Sequence, residues 1–373
     1  MTPGFSRYLD LLRVIAALTV LASHLAYARF TRGDYLVIRE WNLGSDAVIL
    51  FFVLSGYVIA YAAREKDKTL GRFAFARASR LYSVVLPAIL LTLVFDHLGS
   101  RIAPAVYDGW WWNPAPMGDV LLRTMTFSTE WAASGFRPGT NGPFWSLSYE
   151  AAYYMLFGIG FFLNGWRRLL LLALFLPLAG IKVLLLMPAW LGGVWLFARA
   201  DVVSLRPIPA LVAFVAPILL YAGALAIELP DWLMVLTSAV IGQQAVQALR
   251  FSDEFLWNAL LGALVTAHLM AARALFERSS FQIDLARLVT WLAGASFSIY
   301  LVHYPALQFW HAVLPVGLVP LLRDALLLAV TLTTCLLFAA VSERRLPEMR
   351  RAMTTLWQAM AAHRRAGHGA GAE

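Results

Sequence analysis

Ten apolar runs recur along the chain, over roughly 8–28, 44–63, 81–98, 142–163, 168–181, 183–199, 208–227, 254–275, 288–310 and 320–342. About 20 apolar residues are what a helix needs to cross hydrocarbon, where backbone groups meet no water and must bond within their own segment. The pattern predicts an all-α integral membrane protein, a bundle of about ten transmembrane helices with an internal cavity. Composition agrees: 60% of the 373 residues are hydrophobic and only 14% charged, where a soluble domain carries about a quarter charged. The fifth and sixth runs are short and meet at Lys182, which predicts tilted, kinked or partly re-entrant segments. The stretch 229–253 is apolar from Leu233 to Ile241 but continues with Gln243, Gln244 and Gln247, as suits a partly wet helix or a loop lining a cavity.

Basic residues orient the bundle. Arg64, Lys66, Lys68, Arg72, Arg77 and Arg80 crowd between the second and third runs, and Arg167 and Arg168 follow the fourth. Arg273, Arg278 and Arg287 lie between the eighth and ninth; Arg344, Arg345, Arg350, Arg351, Arg364 and Arg365 follow the tenth. With an even number of spans these clusters share one side, the cytoplasm, and both termini lie there. Arg29, Arg32 and Arg39 are the opposing charges. The net charge of +8 then belongs to the loops, and no nucleic-acid motif accompanies it. Cys335 is the single cysteine, so neither an intrachain disulfide nor a thiolate metal cluster is expected. No cleavable signal is apparent in the first run, which contains Arg13 and His24. Residues 348–373 are expected to form a basic cytoplasmic tail, partly disordered in its Gly/Ala-rich end Ala366–Glu373.

Four constellations carry potential chemistry. His24 follows Arg13 by eleven residues, about three helical turns plus 20°, so both point the same way with an axial offset of about 16 Å. Asp10 lies close to that face. An imidazole exchanges a proton near neutral pH and is a natural general base for a hydroxyl; a packing role is the alternative. His97, His268 and His311 are read as packing or interfacial residues. In the segment Arg72–Arg80, Arg77 and Arg80 share a helix face and form either a snorkelling anchor or a phosphate clamp. Where the fourth run begins, Trp145, Ser146, Tyr149 and Glu150 follow Asn141-Gly-Pro. Glu150 enters the membrane and needs an arginine or histidine partner, unless Ser146 and Glu150 serve the helix N-terminus. In the ninth run Ser296, Tyr300 and His303 form a polar stripe, functional or interhelical glue. Trp110, Trp111, Trp112 and Trp131 in the long loop 99–141 suit an aromatic belt or a platform for a sugar ring.

Taken together and in this order, these motifs resemble the membrane acyltransferase-3 family, bacterial enzymes that O-acylate glycans. The resemblance rests on Leu9-Asp10, Arg13 and His24, on Phe51-Phe52-Val53-Leu54-Ser55-Gly56-Tyr57, and on Arg77-Ala-Ser-Arg80. It continues through Trp145-Ser-Leu-Ser148-Tyr-Glu150, Ser296-Phe-Ser298-Ile-Tyr300-Leu-Val-His303 and Glu343-Arg344, covering about residues 5–347. One departure is Asp46, which stands five residues before Phe51 where many members place an aspartate two or three before the phenylalanine pair.

The resemblance implies an acyl-CoA donor, acetyl-CoA by default, reached from the cytoplasm as a co-substrate; no cofactor and no metal are expected. It implies a glycan acceptor on the outer side of a bacterial inner membrane. His24 is implied as the catalytic residue, and Glu150 is a second catalytic candidate. Arg13, Arg72, Arg77 and Arg80 are candidates for the donor, and Trp145, Ser146, Tyr149, Tyr300 and His303 for the substrate. A secondary transporter using buried His, Arg and Glu is the rival reading; its usual internal repeat is not evident between the two halves.

Overall fold

Helix starts and stops follow from a few residues. Pro3 opens the first helix, α1 (Pro3–Leu25), where the Thr2 hydroxyl accepts a hydrogen bond from the Phe5 amide. There follow α2 (Leu43–Glu65), α3 (Leu70–Ile102), α4 (Trp145–Phe162), α5 (Gly165–Ala179), α6 (Ile181–Ala198), α7 (Pro207–Ala226), α8 (Leu229–Ile241), α9 (Phe255–Phe276), α10 (Ser296–Val313) and α11 (Pro320–Val341). Short helical turns fill several connections. The computed structural model describes residues 2–132, 134–199, 207–276 and 286–355, and every regular element among them is helical. Arg278, Arg364, Arg365 and Ala366–Glu373 lie outside the described residues.

Seven of the described helices are long and apolar enough to cross a membrane: α1, α2, α3, α6, α7, and the stretches containing α9 and α11. The other three predicted runs are helices too. α5 has 15 residues, about 22 Å of helix. α4 and α10 each have 18 residues interrupted by polar side chains. The junction expected at Lys182 falls at Gly180, whose φ of +83° favours glycine; a Cβ there would also lie 2.9 Å from the Ala132 backbone. The ambiguous stretch 229–253 becomes α8, a stop at Gly242 and the short helix Gln243–Leu249.

α2 packs against α1, α6 and α9, and α10 against α1, α3 and α11. Contact between α2 and α6 is backbone to backbone. A Cβ on Gly56 would sit 1.9 Å from the Trp190 carbonyl oxygen, and one on Gly193 equally close to that of Val53. Small residues let membrane helices approach in this way, and they explain the Ser-Gly pair at 55–56. Asp46 holds α2 to two further helices, accepting from the Tyr221 hydroxyl and the Trp257 indole, each at 2.8 Å.

The long connection between α3 and α4 is pinned where it enters α4. Asp96 accepts from the Thr140 amide and hydroxyl at 2.9 and 2.6 Å, while the Asn141 side chain donates to Thr92 Oγ1 and the Leu301 carbonyl. Glu130 is buried 3.3 Å from both Lys182 Nζ and Arg250 Nε. Burial raises its carboxyl above the ordinary range, against the pull of Arg250 and Lys182. Trp131 is buried and donates to the Ser148 carbonyl, which makes it a core residue. Past α11, residues 346–355 are helical, and Arg350 reaches Ser79 Oγ and the Ala76 carbonyl of α3.

Gly56→Ala is expected to lower the melting temperature of the detergent-solubilised protein, at a cost of about 1–3 kcal/mol for overpacking. Gly160→Ala, in α4 with open space around the Cβ position, should be neutral or slightly stabilising. Equal melting of the two variants would contradict the close α2–α6 approach.

Candidate active site

A cavity of about 100 Å³ opens among α1, α2, α3, α4 and α10. Arg13 from α1 and Arg77 and Arg80 from α3 line it together. Asp10 Oδ1 lies 3.1 Å from Arg13, and Asp67 Oδ2 3.1 Å from Arg77. Arg80 is exposed toward the mouth and has no carboxylate within 4.0 Å among the described residues. Arg72 is exposed as well but does not line the cavity; its amide completes the first turn of α3 by donating to Thr69 Oγ1. The cavity thus gathers Arg13, Arg77 and Arg80, and leaves Arg72 outside.

Deeper in the chamber stands Glu150. Its Oε1 accepts from the Ser55 hydroxyl at 2.6 Å and from the Tyr154 hydroxyl, and the Trp190 indole donates in turn to Ser55 Oγ. The partner expected for Glu150 was a cation; hydroxyls supply the bonds instead. Ser146 does not cap α4. Its hydroxyl meets that of Tyr300 at 2.7 Å, and Ser146, Ser296 and Tyr300 all line the cavity. Ser55 and Tyr154 carry site polarity that sequence reasoning assigned to no role; a serine amid the apolar residues of α2 was the available signal.

The outer wall of the chamber is aromatic. Tyr300 lines it, with Phe51 edge-on at 5.7 Å between ring centroids. Beyond Tyr300 on α10 comes His303, fully buried, with its ring 6.4 Å from that of Tyr300. His303 Nε2 lies 2.9 Å from Nδ1 of His24. His24 is half-buried, packs edge-on against Tyr304 at 4.8 Å, and is not among the residues lining the cavity. The stripe that carries Arg13 and His24 therefore runs past the chamber, with Arg13 on its lining and His24 beyond it.

Hydrogen bonding fixes the tautomers. His303 Nδ1 lies 2.9 Å from the Ile299 carbonyl oxygen, which only accepts, so Nδ1 carries the proton. In neutral His303, Nε2 is then an acceptor. His24 Nδ1 must donate to it, which leaves the lone pair on His24 Nε2 free. That is the state a general base requires.

The remaining candidates lie elsewhere. Tyr149 is buried with its hydroxyl 2.8 Å from Ser252 Oγ, and Trp145 stacks on Phe251 at 4.4 Å. Neither lines the cavity. Trp111 and Trp112 pack within their loop, and Trp110 is exposed beside Tyr27, at 5.9 Å. Tyr27 is also 5.9 Å from His24. His268 meets Tyr8 and the Phe214 carbonyl, His311 meets Arg323, and His97 is exposed. Glu343 accepts from the Ser298 amide and hydroxyl, both at 2.9 Å, and so caps α10.

A membrane-spanning helical bundle with a cationic chamber and a hydrogen-bonded imidazole pair defines the class. The family model described as an acyltransferase domain matches residues 6–340, and the chain belongs to that family. It is similar to "Acyltransferase MdmB" of Streptomyces mycarofaciens, 34% identical over 161 residues, 42% of this chain and 38% of that protein. It is also similar to the "O-acetyl transferase" of Shigella phage Sf6, 25% identical over 205 residues, 50% of this chain and 58% of that protein. The matched parts thus span less than two thirds of either relative. No solved structure matches the chain.

In ¹⁵N-histidine NMR of the detergent-solubilised protein, His24 is expected as the Nδ1–H tautomer. His303→Phe, which removes the acceptor, should leave a mixture. An Nε2–H tautomer in the unsubstituted protein would refute the assigned hydrogen-bond direction.

Proposed function

We propose that the protein is an O-acyltransferase of a bacterial inner membrane that takes an acyl group, acetyl by default, from cytoplasmic acyl-CoA. The acceptor is a glycan hydroxyl presented on the extracytoplasmic side. The observation that carries this reading is the alignment of three arginines, a chamber and an imidazole pair along one bundle, with Tyr300 between the chamber and the pair.

The donor's phosphates bind Arg77, Arg80 and Arg13, whose guanidinium forks match phosphate oxygens, and Arg72 takes no part. The pantetheine arm runs along Phe51 and Phe52, and its amide N–H groups face Glu150, which positions the donor. To bring the thioester to His24 the Tyr300 ring gives way, exchanging its bond to Ser146. His24 Nε2 removes the proton from the acceptor hydroxyl, and the oxygen attacks the thioester carbonyl. As the C–S bond breaks, the imidazolium returns its proton to the departing thiolate, leaving an ester and free CoA. His303 holds His24 in the basic tautomer throughout. Trp145 and Tyr149 act as scaffold on the buried side of α4.

Purified protein, radiolabelled acetyl-CoA and membrane-derived glycan test this directly. His24→Ala is expected to lower transfer at least about 10²-fold, the usual loss on removing a general base, while still binding acetyl-CoA. Arg80→Ala should raise KM for acetyl-CoA and spare kcat, and it should erase the preference for acetyl-CoA over S-acetylpantetheine, which lacks the nucleotide phosphates. Near-normal transfer by His24→Ala would remove the general-base role. An unchanged KM in Arg80→Ala would remove the clamp.

A further inference from the structure

Three arginines stand on the extracytoplasmic side of His24, and all of their hydrogen bonds and ring contacts are with neutral groups; Glu130 and Arg250 act on Arg137 only from beyond contact distance. Arg29 donates to the Tyr304 hydroxyl at 2.8 Å and to Gln308, and its guanidinium lies over the rings of Phe30 and Trp111 at 3.8 and 4.7 Å. Its Nε is buried without a hydrogen-bond partner. Arg39 donates to Ser23 Oγ at 3.2 Å and lies 4.2 Å over Tyr27. Arg137 donates to the Trp110 carbonyl at 2.8 Å and lies 5.3 Å over the Trp110 ring. Among the described residues none of the three has a carboxylate within 4.0 Å, whereas Arg13, Arg32, Arg77 and Arg250 each do.

All three are half-buried, and the Tyr27 ring links them: it lies 5.9 Å from His24 and from Trp110 and 5.5 Å from the Arg29 guanidinium. A guanidinium has five N–H donors in one plane, and ring stacking occupies its faces and leaves its edge free. Half-buried cations in neighbouring positions repel one another and remain costly until an anion joins them.

We propose that Arg29, Arg39 and Arg137 form an anion subsite for the acceptor, holding a phosphate or carboxylate that the acceptor carries close to the hydroxyl to be acylated. The proposal rests on the reading of His24 as the acceptor-side base. A membrane phospholipid headgroup offers the same oxyanion chemistry, and the test separates the two sources.

The probes are glucose 1-phosphate and uncharged methyl α-glucoside, titrated by saturation-transfer NMR against the full chain in phosphatidylcholine nanodiscs. Glucose 1-phosphate is expected to bind at least about tenfold more tightly, the value of one charge-assisted hydrogen bond. The preference should vanish in Arg39→Gln/Arg137→Gln and persist in Arg80→Gln, which alters only the inner chamber. Should the double glutamine variant fail to fold, Arg39→Lys/Arg137→Lys keeps the charge without the fork and should reduce the preference. Equal binding of the two probes overturns the proposal. So does a preference lost with Arg80, or one abolished by adding phosphatidylglycerol to the discs, which would make a lipid headgroup the occupant. His24→Ala should keep the preference while losing transfer, so failure of the subsite and failure of the base are distinguishable.

Discussion

Hydrocarbon offers no water to a polar side chain, and the interior of this bundle is organised by that constraint. Ser146 bonds Tyr300, Glu150 accepts from Ser55 and Tyr154, Ser298 is held by Glu343, and His303 joins the Ile299 carbonyl to His24. These pairings tie α1, α2, α4, α10 and the end of α11 to one another. Rotating any of these helices would expose a polar group to lipid, so satisfying the polar groups also fixes the site. The glycine contacts of α2 and α6 permit it: with their backbones in contact, Ser55 comes within reach of both Trp190 and Glu150.

Helical arithmetic made part of this legible in the sequence. Arg77 and Arg80 are three residues apart and share the chamber; Arg72, five before Arg77, is turned about 140° away. By the same arithmetic Ser146 and Glu150 share a face, while Trp145 and Tyr149 sit about 100° off it and pack on the other side. The low hydropathy of α4 and α10 has the same origin, since these helices supply much of the polar lining. Partners across helices were not legible. Ser55 lies 95 residues before Glu150, and nothing local marks the pair. Nor does a shared stripe imply a shared chamber: the axial rise of about 16 Å carries His24 past Tyr300 while Arg13 stays inside.

The two ends of the bundle treat their arginines differently. At the chamber mouth Asp10 and Asp67 pair with Arg13 and Arg77, while Arg80 is paired with neither. On the proposed reading, a donor phosphate meets Arg80 first and then competes with the carboxylates on Arg13 and Arg77. On the outer side hydroxyls, carbonyls and aromatic faces hold the arginines without neutralising them. Neutral partners fix geometry and leave charge available.

The imidazole pair follows the same logic. Many general bases are oriented by a carboxylate, but a second fixed charge beside His24 would need its own compensation inside the membrane. A neutral imidazole avoids that cost. The Ile299 carbonyl sets the direction of the chain, so His303 can only accept from His24. On the proposed mechanism, when His24 takes up a proton at Nε2, its Nδ1–H bond to His303 strengthens as a charge-assisted bond, and the charge is stabilised without leaving the ring. On the proposed mechanism the imidazole pair itself thus carries positive charge only during the step that needs it.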